Sequence, residues 1–239
     1  MTPPKPAASA GGAGSTFDLQ AISLVSQVCG RIAHDLNNLL AAVDGYGEFV
    51  AQNVADRPQV LADITEVRSA AKKGAAFSRR LRQVGQLDEG APERMDLSQM
   101  VREAEEQVQL ITAEQVKVSI AVKDGLPTII ADMSQLQLAL LSLVENAVEA
   151  MPDGGRIKVE TFAEGGDVAL RVTDTGTGMS SEALENIFVP FYSTKAKAIG
   201  NGLGMFIVEA VVKRASGRVE IESEEGAGTI VTLCIPIAP

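Results

Sequence analysis

The residue best suited to do chemistry in this chain is His34, the only histidine among 239 residues. It is followed at once by Asp35 and, one helical turn later, by Asn38. A neutral imidazole is a good nucleophile towards phosphorus near neutral pH. A neighbouring carboxylate can hold one ring nitrogen and stabilise the imidazolium that forms when the other nitrogen attacks. The pattern favours phosphoryl acceptance by His34 over a polar helix surface without a role.

The apolar residues around His34 recur in steps of three and four over four heptads, which predicts a long bundle or coiled-coil helix. This seam consists of Ile22, Val25, Cys29, Ile32, Leu36, Leu39, Val43, Tyr46 and Val50. In that register His34 points away from the seam, and Asn38 lies on the same outward face. The small residues Gly30, Ala41 and Gly45 flank this face, so a bulky partner has room to approach the imidazole.

Composition narrows the classes of protein. A hydrophobic content of 46% with no tryptophan predicts an aliphatic core, and a net charge of −10 argues against a nucleic-acid partner. Cys29 and Cys234 form no close-spaced metal or redox motif, so we interpret them as small buried hydrophobes in a reducing compartment. No stretch approaches the roughly 20 apolar residues that span a bilayer, and no signal peptide is visible. We therefore expect a cytoplasmic chain with no membrane contact.

The N-terminal third predicts a helical hairpin. Residues 1–16 are rich in Pro, Ala, Gly and Ser and are expected to form a disordered tail. Two helices of about 30 residues follow within residues 17–88, broken at Asp56, the expected cap of the second helix, and at Pro58 in its first turn. A lone hairpin cannot bury both apolar stripes. We therefore expect two hairpins to pair as a four-helix bundle in a homodimer.

The rest of the chain predicts a linker, residues 89–96, and a domain over residues 97–239. Asp96 with Gln99 resembles a capping box that opens a helix to about residue 110. The later predicted elements are strands 116–122 and 128–131, a helix 132–151, strands 156–162 and 168–173, a helix 203–215, and strands 218–223 and 229–235. This order favours a sheet with helices on one face, an α/β sandwich.

Two segments of this domain suit a nucleotide. Asn146 lies in the run 145–150 of a predicted helix, where an amide is mildly unfavourable, and its oxygen is a hard ligand of the kind Mg²⁺ prefers. Asp174 follows a predicted strand and is itself followed by Gly176 and Gly178. A carboxylate at a strand end can accept a hydrogen bond from an adenine amino group, while the glycines let the ring lie against the backbone.

Two further segments complete the set, and the first of them suits phosphates. Residues 188–195 precede the glycine-rich run 200–204, which opens a helix; glycines there expose amide N–H groups and the positive end of the helix dipole. Residues 226–229 lie between the last two strands. Each segment alone is weak evidence for a nucleotide site, and none matches the complete phosphate-loop or dinucleotide fingerprint. Their joint order is what predicts a nucleotide site.

Over about residues 20–236 the chain resembles the bacterial two-component sensor histidine kinases. The stretch from His34 to Asn38 resembles the H-box of a HisKA-type dimerisation domain. The remaining matches are Glu145–Ala150 with the N-box, Asp174–Gly178 with the G1 box, Phe188–Phe191 with the F-box, Gly200–Gly204 with the G2 box and Gly226–Thr229 with the G3 box. The family's ATP-binding domain has the Bergerat (GHKL) fold, shared with gyrase and MutL.

The resemblance implies an ATP-dependent protein-histidine kinase. His34 would be autophosphorylated and Asp35 would assist proton transfer. The phosphoryl group would pass to an aspartate on the receiver domain of a separate response regulator. Asn38 would orient a water when the enzyme dephosphorylates that regulator.

The same resemblance assigns the ATP site. Asn146 would hold Mg²⁺ and Asp174 would read adenine. Across a mobile lid, the phosphates would meet Lys195 and the backbone amides of the G2 box. The cofactor-binding residues are then expected to be Asn146, Asp174, Gly176, Gly178, Lys195, Gly202, Leu203, Gly204 and Thr229.

The chain departs from the family pattern at Leu39, where a proline is common, and at Ser142, which replaces the first N-box asparagine. No sensor domain precedes the hairpin, so either a separate sensor protein supplies the input or the chain is an excerpt of a longer one. Two other readings stay open. One is a non-catalytic phosphotransfer scaffold with a vestigial ATP domain, and the other is a different GHKL ATPase or a serine-directed protein kinase.

Overall fold

The computed structural model describes residues 18–112, 115–193 and 202–239. They form two compact units that meet in sequence between Glu89 and Gly90. The predicted disordered tail, residues 1–16, lies outside the described residues. Within the described part of the chain, no helix is long and apolar enough to cross a bilayer.

The first unit is a hairpin of two long helices. α1 spans Leu19–Asn53 and α2 spans Pro58–Gly85, followed by a 3-10 turn over Gln86–Glu89. Proline occupies the first turn of α2 as predicted, but the predicted cap, Asp56, is wrong. The N-cap is Arg57, which makes no side-chain capping hydrogen bond.

The physical reason is that the turn closes through the backbone. The Arg57 N–H donates to the Val54 carbonyl at 2.8 Å, and the Leu61 N–H donates to the Arg57 carbonyl at 2.9 Å. The helix therefore begins one residue later than the cap signal suggests, which leaves the Asp56 side chain outside the capping position.

Small residues let α1 and α2 approach closely. A Cβ placed on Gly85 would lie only 2.5 Å from the Cα of Gly30, so the backbones nearly touch at that crossing. Further along, the Leu40 side chain covers Gly74, again with no room for an added Cβ. The close approach at these two points depends on glycines, while large apolar residues such as Ile22, Leu81 and Val84 are buried elsewhere in the hairpin.

The long side chain of Arg68 joins α2 to α1 towards the turn that connects the two helices. The Arg68 stem lies across Gly47, and its Nε donates to Asp44 Oδ1 at 3.0 Å. The same guanidinium also pairs with Glu48. Because Asp44 and Glu48 are one turn apart on α1, this fork fixes how far α2 can slide along α1.

The predicted seam of α1 is divided between two faces. The residues of α1 that the hairpin buries are Ile22, Ser26, Cys29, Ala33 and Gly47. Five predicted seam members are exposed instead, namely Ile32, Leu39, Val43, Tyr46 and Val50. The prediction of a single seam is therefore wrong in part. Because the backbones of α1 and α2 approach closely, a neighbouring row of mostly small residues of α1 makes the contact with α2. The larger apolar residues form an exposed stripe beside it.

The second unit contains the remaining elements. In chain order they are β1 (Glu93–Met95), α3 (Leu97–Glu103), α4 (Glu105–Ile111), β2 (Val116–Ala121), β3 (Ile129–Ala131), α5 (Met133–Glu149), β4 (Gly155–Glu164), β5 (Asp167–Asp174), α6 (Ser181–Asn186), α7 (Gly204–Arg214), β6 (Arg218–Glu224) and β7 (Gly228–Pro236). The main sheet has the order β2-β4-β5-β7-β6. β2 and β4 are parallel, and the other neighbours are antiparallel.

Helices cover one face of this sheet. α5 and α7 pack on each other and against its strands. The inward side chains alternate as a half-buried sheet requires; on the three central strands they are Ile157, Val159 and Thr161, then Val168, Leu170 and Val172, then Val231, Leu233 and Ile235. On the opposite face the Arg171 guanidinium lies over the Phe162 ring, 4.7 Å from its centroid. The predicted α/β sandwich is confirmed.

Three details differ from the sequence prediction. The single helix expected over 97–110 is two helices that share a buried line and are interrupted at Ala104. No glycine or proline marks that break, so the sequence carried no signal for it. The segment predicted as a linker contains β1, which pairs antiparallel with β3. α6 was not predicted, although Ser180 accepts a capping hydrogen bond from the Ala183 N–H at 3.3 Å.

Both cysteines are free and buried. Burial raises the pKa of the Cys29 thiol and raises that of Cys234 to about 11. A thiol whose pKa is raised holds little thiolate, so neither residue is poised for nucleophilic or redox chemistry.

Asp132 ties the start of the second unit to α5. Its carboxylate accepts hydrogen bonds from the Gln135 N–H at 2.9 Å, the Ser134 hydroxyl at 2.6 Å and the Ala91 N–H at 2.8 Å. Burial works to raise the pKa of Asp132, but these hydrogen bonds outweigh it and hold that pKa below its usual range. The ionised form therefore stabilises the folded unit.

This contact generates a stability prediction. Because the pKa of Asp132 is lower in the folded than in the unfolded state, its stabilisation is present above the unfolded pKa and is lost as pH falls through the folded one. We expect Asp132→Ala to lower the free energy of unfolding by about 1 kcal/mol near neutral pH. The difference from wild type should shrink near pH 2.

Urea unfolding followed by circular dichroism at both pH values measures this effect. The control is Asp153→Ala, at an exposed aspartate outside the helices, which should change stability little at either pH. An Asp132→Ala deficit of equal size at both pH values would contradict the assignment to the ionised carboxylate.

Candidate functional site

The structure places His34 on the outer surface of α1. Its side chain is 76% exposed, and its Nδ1 lies 3.1 Å from Oδ1 of Asp35, which is 81% exposed. A carboxylate can only accept, so Nδ1 carries the proton in this contact and Nε2 presents its lone pair to solvent. That is the tautomer in which Nε2 can attack an electrophile.

The helical geometry of α1 determines which residues lie beside His34 on its exposed face and which lie on the buried face behind it. Asn38, one turn further along α1, is also exposed. On the opposite, buried side of the same turn, the Ser78 hydroxyl of α2 donates to the Ala33 carbonyl at 2.8 Å. The imidazole therefore stands on the solvent side of a turn whose inner side is held by α2.

In the second unit, Asn146 meets the beginning of α7. α5 is oriented by its buried residues, which include Leu136, Leu140, Leu143 and Val144. A Cβ added to Gly204 would lie 3.2 Å from Nδ2 and 3.3 Å from Oδ1 of Asn146. The Asn146 amide therefore lies in close contact with the first turn of α7, and a larger residue at position 204 would require the amide to shift.

The start of α7 has no side-chain cap. Its N-cap, Leu203, is fully buried and supplies no side-chain capping hydrogen bond. The first N–H groups of a helix have no intrahelical partner, and they lie at the positive end of the helix dipole. An anionic group beside Asn146 would meet both the amide side chain and these N–H groups.

The glycine before α7 is required by its backbone. Gly202 has φ +64°, and an added Cβ would lie 2.5 Å from the Phe191 carbonyl carbon. The Phe191 N–H donates to the Gly202 carbonyl at 2.9 Å, which joins the predicted F-box to the predicted G2 box. Lys195 and the first part of the G2 box lie outside the described residues.

Asp174 is the last residue of β5, and its carboxylate organises the loop that follows. Oδ1 accepts a hydrogen bond from the Gly176 N–H at 2.8 Å. A Cβ on Gly176 would lie 2.7 Å from that of Ala150, just past the end of α5. The loop after β5 and the end of α5 are therefore in direct contact, which no larger residue at 176 would permit.

The turn between β6 and β7 packs against the same loop. Thr229 is the register partner of Asp174 across β7 and β5. Gly228 has φ +99°, and an added Cβ would overlap the Asp174 carbonyl oxygen. Gly178 has φ +64°, and an added Cβ would overlap the Glu224 carbonyl oxygen. Gly178 of the G1 segment and Gly228 of the G3 segment are thus required by the approach of one backbone to another.

Sequence analysis missed Ser223, which joins these two segments. Its hydroxyl accepts from the Met179 N–H at 3.0 Å, donates to the Gly228 carbonyl at 3.1 Å and lies 2.9 Å from Thr229 Oγ1. Nothing in the sequence distinguishes this serine from other polar residues of β6. Only the antiparallel pairing of β6 with β7 gives it a role.

Most of the predicted nucleotide residues are therefore gathered where β5, α5, α7 and the β6–β7 turn meet. Asp174 and Thr229 are register partners, while Asn146 and Gly204 are in contact at the neighbouring helix end. A carboxylate at one side and an amide beside a helix N-terminus at the other suit a base and its phosphates.

Comparison with known proteins agrees with this geometry. Residues 131–239 match the family described as histidine kinase-, DNA gyrase B-, and HSP90-like ATPase. The sensor kinase CckA of Brucella abortus (strain 2308) is 29% identical over 232 residues, covering 91% of this chain and 25% of the relative. The sensor histidine kinase ZraS of Escherichia coli (strain K12) is 29% identical over 212 residues, covering 86% of this chain and 44% of the relative.

The crystal structure of full-length ShkA in complex with AMPPNP is similar with a TM-score of 0.68 and 26% identity, covering 88% of this chain and 45% of that one. The chain thus spans about a quarter of the length of CckA and less than half of ZraS. Residues 131–239 thus match the ATPase family model, and over most of its length the chain is similar to the named sensor kinases.

Proposed function

We propose that this protein is an ATP-dependent protein-histidine kinase that phosphorylates its own His34. The observation that carries the proposal is the state of its single imidazole, which is 76% exposed with Nδ1 held by Asp35 and Nε2 open to solvent. The ATPase family match and the named kinase relatives support the activity. We further propose that the phosphoryl group passes to an aspartate on the receiver domain of a response regulator.

The chemistry follows from the tautomer. Nε2 attacks the γ-phosphorus of ATP, an Nε2–P bond forms, and the bond from that phosphorus to the β–γ bridging oxygen breaks to release ADP. The ring gains positive charge in this step, and the Nδ1–H···Oδ1 contact with Asp35 stabilises that charge. Phosphoryl transfer otherwise depends on positioning and on neutralising the phosphate charge.

The ATP site is supported by the family match and by the relative solved with AMPPNP, an ATP analogue. We propose that Asp174 accepts a hydrogen bond from the adenine amino group, between the glycine loops of G1 and G3. The phosphates would then meet the N–H groups at the start of α7, with Lys195 contributing from the segment outside the described residues. Gly176, Gly178, Gly202, Leu203, Gly204 and Thr229 would shape this site through their backbone.

We also propose that the site uses Mg²⁺. The amide oxygen of Asn146 is a hard ligand, and it lies beside the start of α7 where the phosphates would bind. When bound, Mg²⁺ neutralises phosphate charge and orients the γ-phosphoryl group. Ser142, which stands where the family's first N-box asparagine would be, is 3% exposed. The metal therefore depends more heavily on Asn146.

Histidine kinase relatives imply dimers and response-regulator partners in general. For this chain we propose a homodimer in which a second hairpin covers the exposed stripe Ile32, Leu39, Val43, Tyr46 and Val50, and so completes a four-helix bundle. The small-residue surface around His34 would dock the receiver domain. A separate sensor protein, a cytoplasmic location, and the domain limits 17–88 and 97–239 stay predictions.

A non-catalytic scaffold with a vestigial ATP domain is not favoured, because Asn146, Asp174 and the required glycines are present and brought together. Absence of ATP binding at millimolar concentration would reverse this judgement. A serine-directed kinase would differ in its product, because phosphohistidine is labile in acid and stable in base, whereas phosphoserine shows the opposite behaviour.

The first prediction concerns the phosphoacceptor. His34→Ala should abolish incorporation of the labelled γ-phosphate, because no other imidazole exists in the chain, and should leave ATP affinity unchanged. Gln27→Ala, seven residues earlier on the same exposed helix face, should label normally. Incubation with labelled Mg·ATP followed by acid and base treatment measures this, and acid-stable label on the His34→Ala variant would refute the assignment.

The second prediction concerns Asn38. Asn38→Ala should leave autophosphorylation of His34 within about twofold of wild type, because the amide lies a full turn from the ring. It should slow dephosphorylation of a phosphorylated receiver by about tenfold, because the water that attacks the acyl phosphate loses its orientation. Both rates can be followed with the same labelled proteins. An equal loss of kinase and phosphatase activity would contradict a separate role for Asn38.

The third prediction concerns the G1 loop. Gly178→Ala should weaken ATP binding by about tenfold or more, because the new Cβ overlaps the Glu224 carbonyl and forces the loop off the β6–β7 turn. Gly125→Ala is the matched control, since Gly125 has nearly the same φ, +68°, but nothing within 4 Å of an added Cβ. Isothermal titration of both variants with ATP separates the clash from the shared backbone strain; equal affinities would contradict this geometry.

A further inference from the structure

The hairpin holds one buried polar contact directly behind the phosphoacceptor turn. Ser78 of α2 is 2% exposed, and its hydroxyl donates to the carbonyl of Ala33, itself 2% exposed, at 2.8 Å. The two residues are 45 positions apart in sequence. A buried hydroxyl needs a hydrogen-bond partner, and the Ser78 hydroxyl donates to a carbonyl of the other helix rather than to one of its own.

The accepting carbonyl belongs to the peptide that carries His34. The carbonyl carbon of Ala33 is bonded to the His34 amide nitrogen, and a peptide group is planar. Within the continuous helix α1, one lone pair of that oxygen faces the N–H four residues on, and a second is available to Ser78. The bond therefore restrains the plane from which the His34 Cα and side chain project.

The contacts immediately on either side of this turn do not supply the same restraint, and the directional Arg68 contacts with Asp44 and Glu48 lie further along α1. At one side Gly30 faces Gly85, and at the other Leu40 covers Gly74. These are van der Waals contacts to glycines, which permit close approach but are not directional. A hydrogen bond loses strength when its angle departs from linear, so it resists rotation of α1 about its own axis.

We infer that Ser78 is a positioning residue for phosphoryl transfer to His34. By holding the Ala33–His34 peptide, it fixes the direction in which the exposed imidazole stands. The Asp35 contact then sets the orientation of the ring about its own bonds. This inference rests on the proposed function, and it concerns the rate of transfer rather than the binding of ATP.

The test uses three variants at position 78. Ser78→Ala removes the donor while the Ala33 carbonyl keeps its helical partner, so the hairpin should still fold. Ser78→Thr keeps a hydroxyl and should rescue function. Ser78→Cys keeps the volume with a weak donor and should fall between these two. Ser26→Ala is the matched control, because Ser26 is equally buried but donates to Ile22 of its own helix.

Autophosphorylation with labelled Mg·ATP gives the kinetic result. We expect Ser78→Ala to lower kcat by about tenfold with the KM for ATP unchanged, as for a misdirected nucleophile. Ser78→Thr and Ser26→Ala should stay within about twofold of wild type. A wild-type kcat for Ser78→Ala, or an equal loss for Ser26→Ala, would overturn the inference.

The single histidine gives a second readout that does not depend on activity. In the full chain labelled with nitrogen-15 histidine, every imidazole signal belongs to His34. We expect these signals to shift or broaden in Ser78→Ala and to match wild type in Ser26→Ala. Unchanged imidazole signals in Ser78→Ala would overturn the inference. Failure of wild type to label at all would instead overturn the proposed function, and the inference with it.

Discussion

The proposed phosphoryl transfer requires that an exposed imidazole be held in one orientation without being buried. A side chain that is 76% exposed gains little from packing, so its direction must come from hydrogen bonds and from the backbone beneath it. The Asp35 carboxylate fixes the tautomer from outside, at 3.1 Å from Nδ1. Ser78 holds the peptide from inside, at 2.8 Å from the Ala33 carbonyl. Small residues between the two helices are what make the inner contact possible.

In the second unit, close contacts of the backbone bring the candidate nucleotide-binding residues together. There the required groups come from distant parts of the chain and meet at one end of a sheet. Backbone approaches bring them together: Gly176 to the end of α5, Gly178 to Glu224, Gly228 to Asp174 and Gly204 to Asn146. Each of these contacts is close because the glycine has no side chain to separate it from its neighbour. This explains why single glycine substitutions should affect nucleotide binding without removing any ligand-binding atom.

The sequence was informative wherever local chemistry decides the outcome. Asp96 caps its helix as expected, and the strand that ends at Asp174 lies within one residue of the predicted range, 168–173. It was misleading at Asp56, where the turn closes through backbone hydrogen bonds, and along α1, where glycines in both helices decide how closely α2 approaches. It was silent about Ser223 and Ser78, whose partners are set by strand pairing and helix register. Such contacts are properties of the fold, and a single sequence without aligned relatives does not reveal them.

The proposed mechanism requires that His34 accept phosphate at its Nε2 nitrogen. It is tested most directly by nuclear magnetic resonance on nitrogen-15 histidine protein after incubation with Mg·ATP, with phosphorus coupling used to identify the bonded nitrogen. The account predicts a single phosphohistidine with phosphorus on Nε2, because Nδ1 is engaged by Asp35. Phosphorus on Nδ1, or phosphate on a residue other than His34, would contradict it.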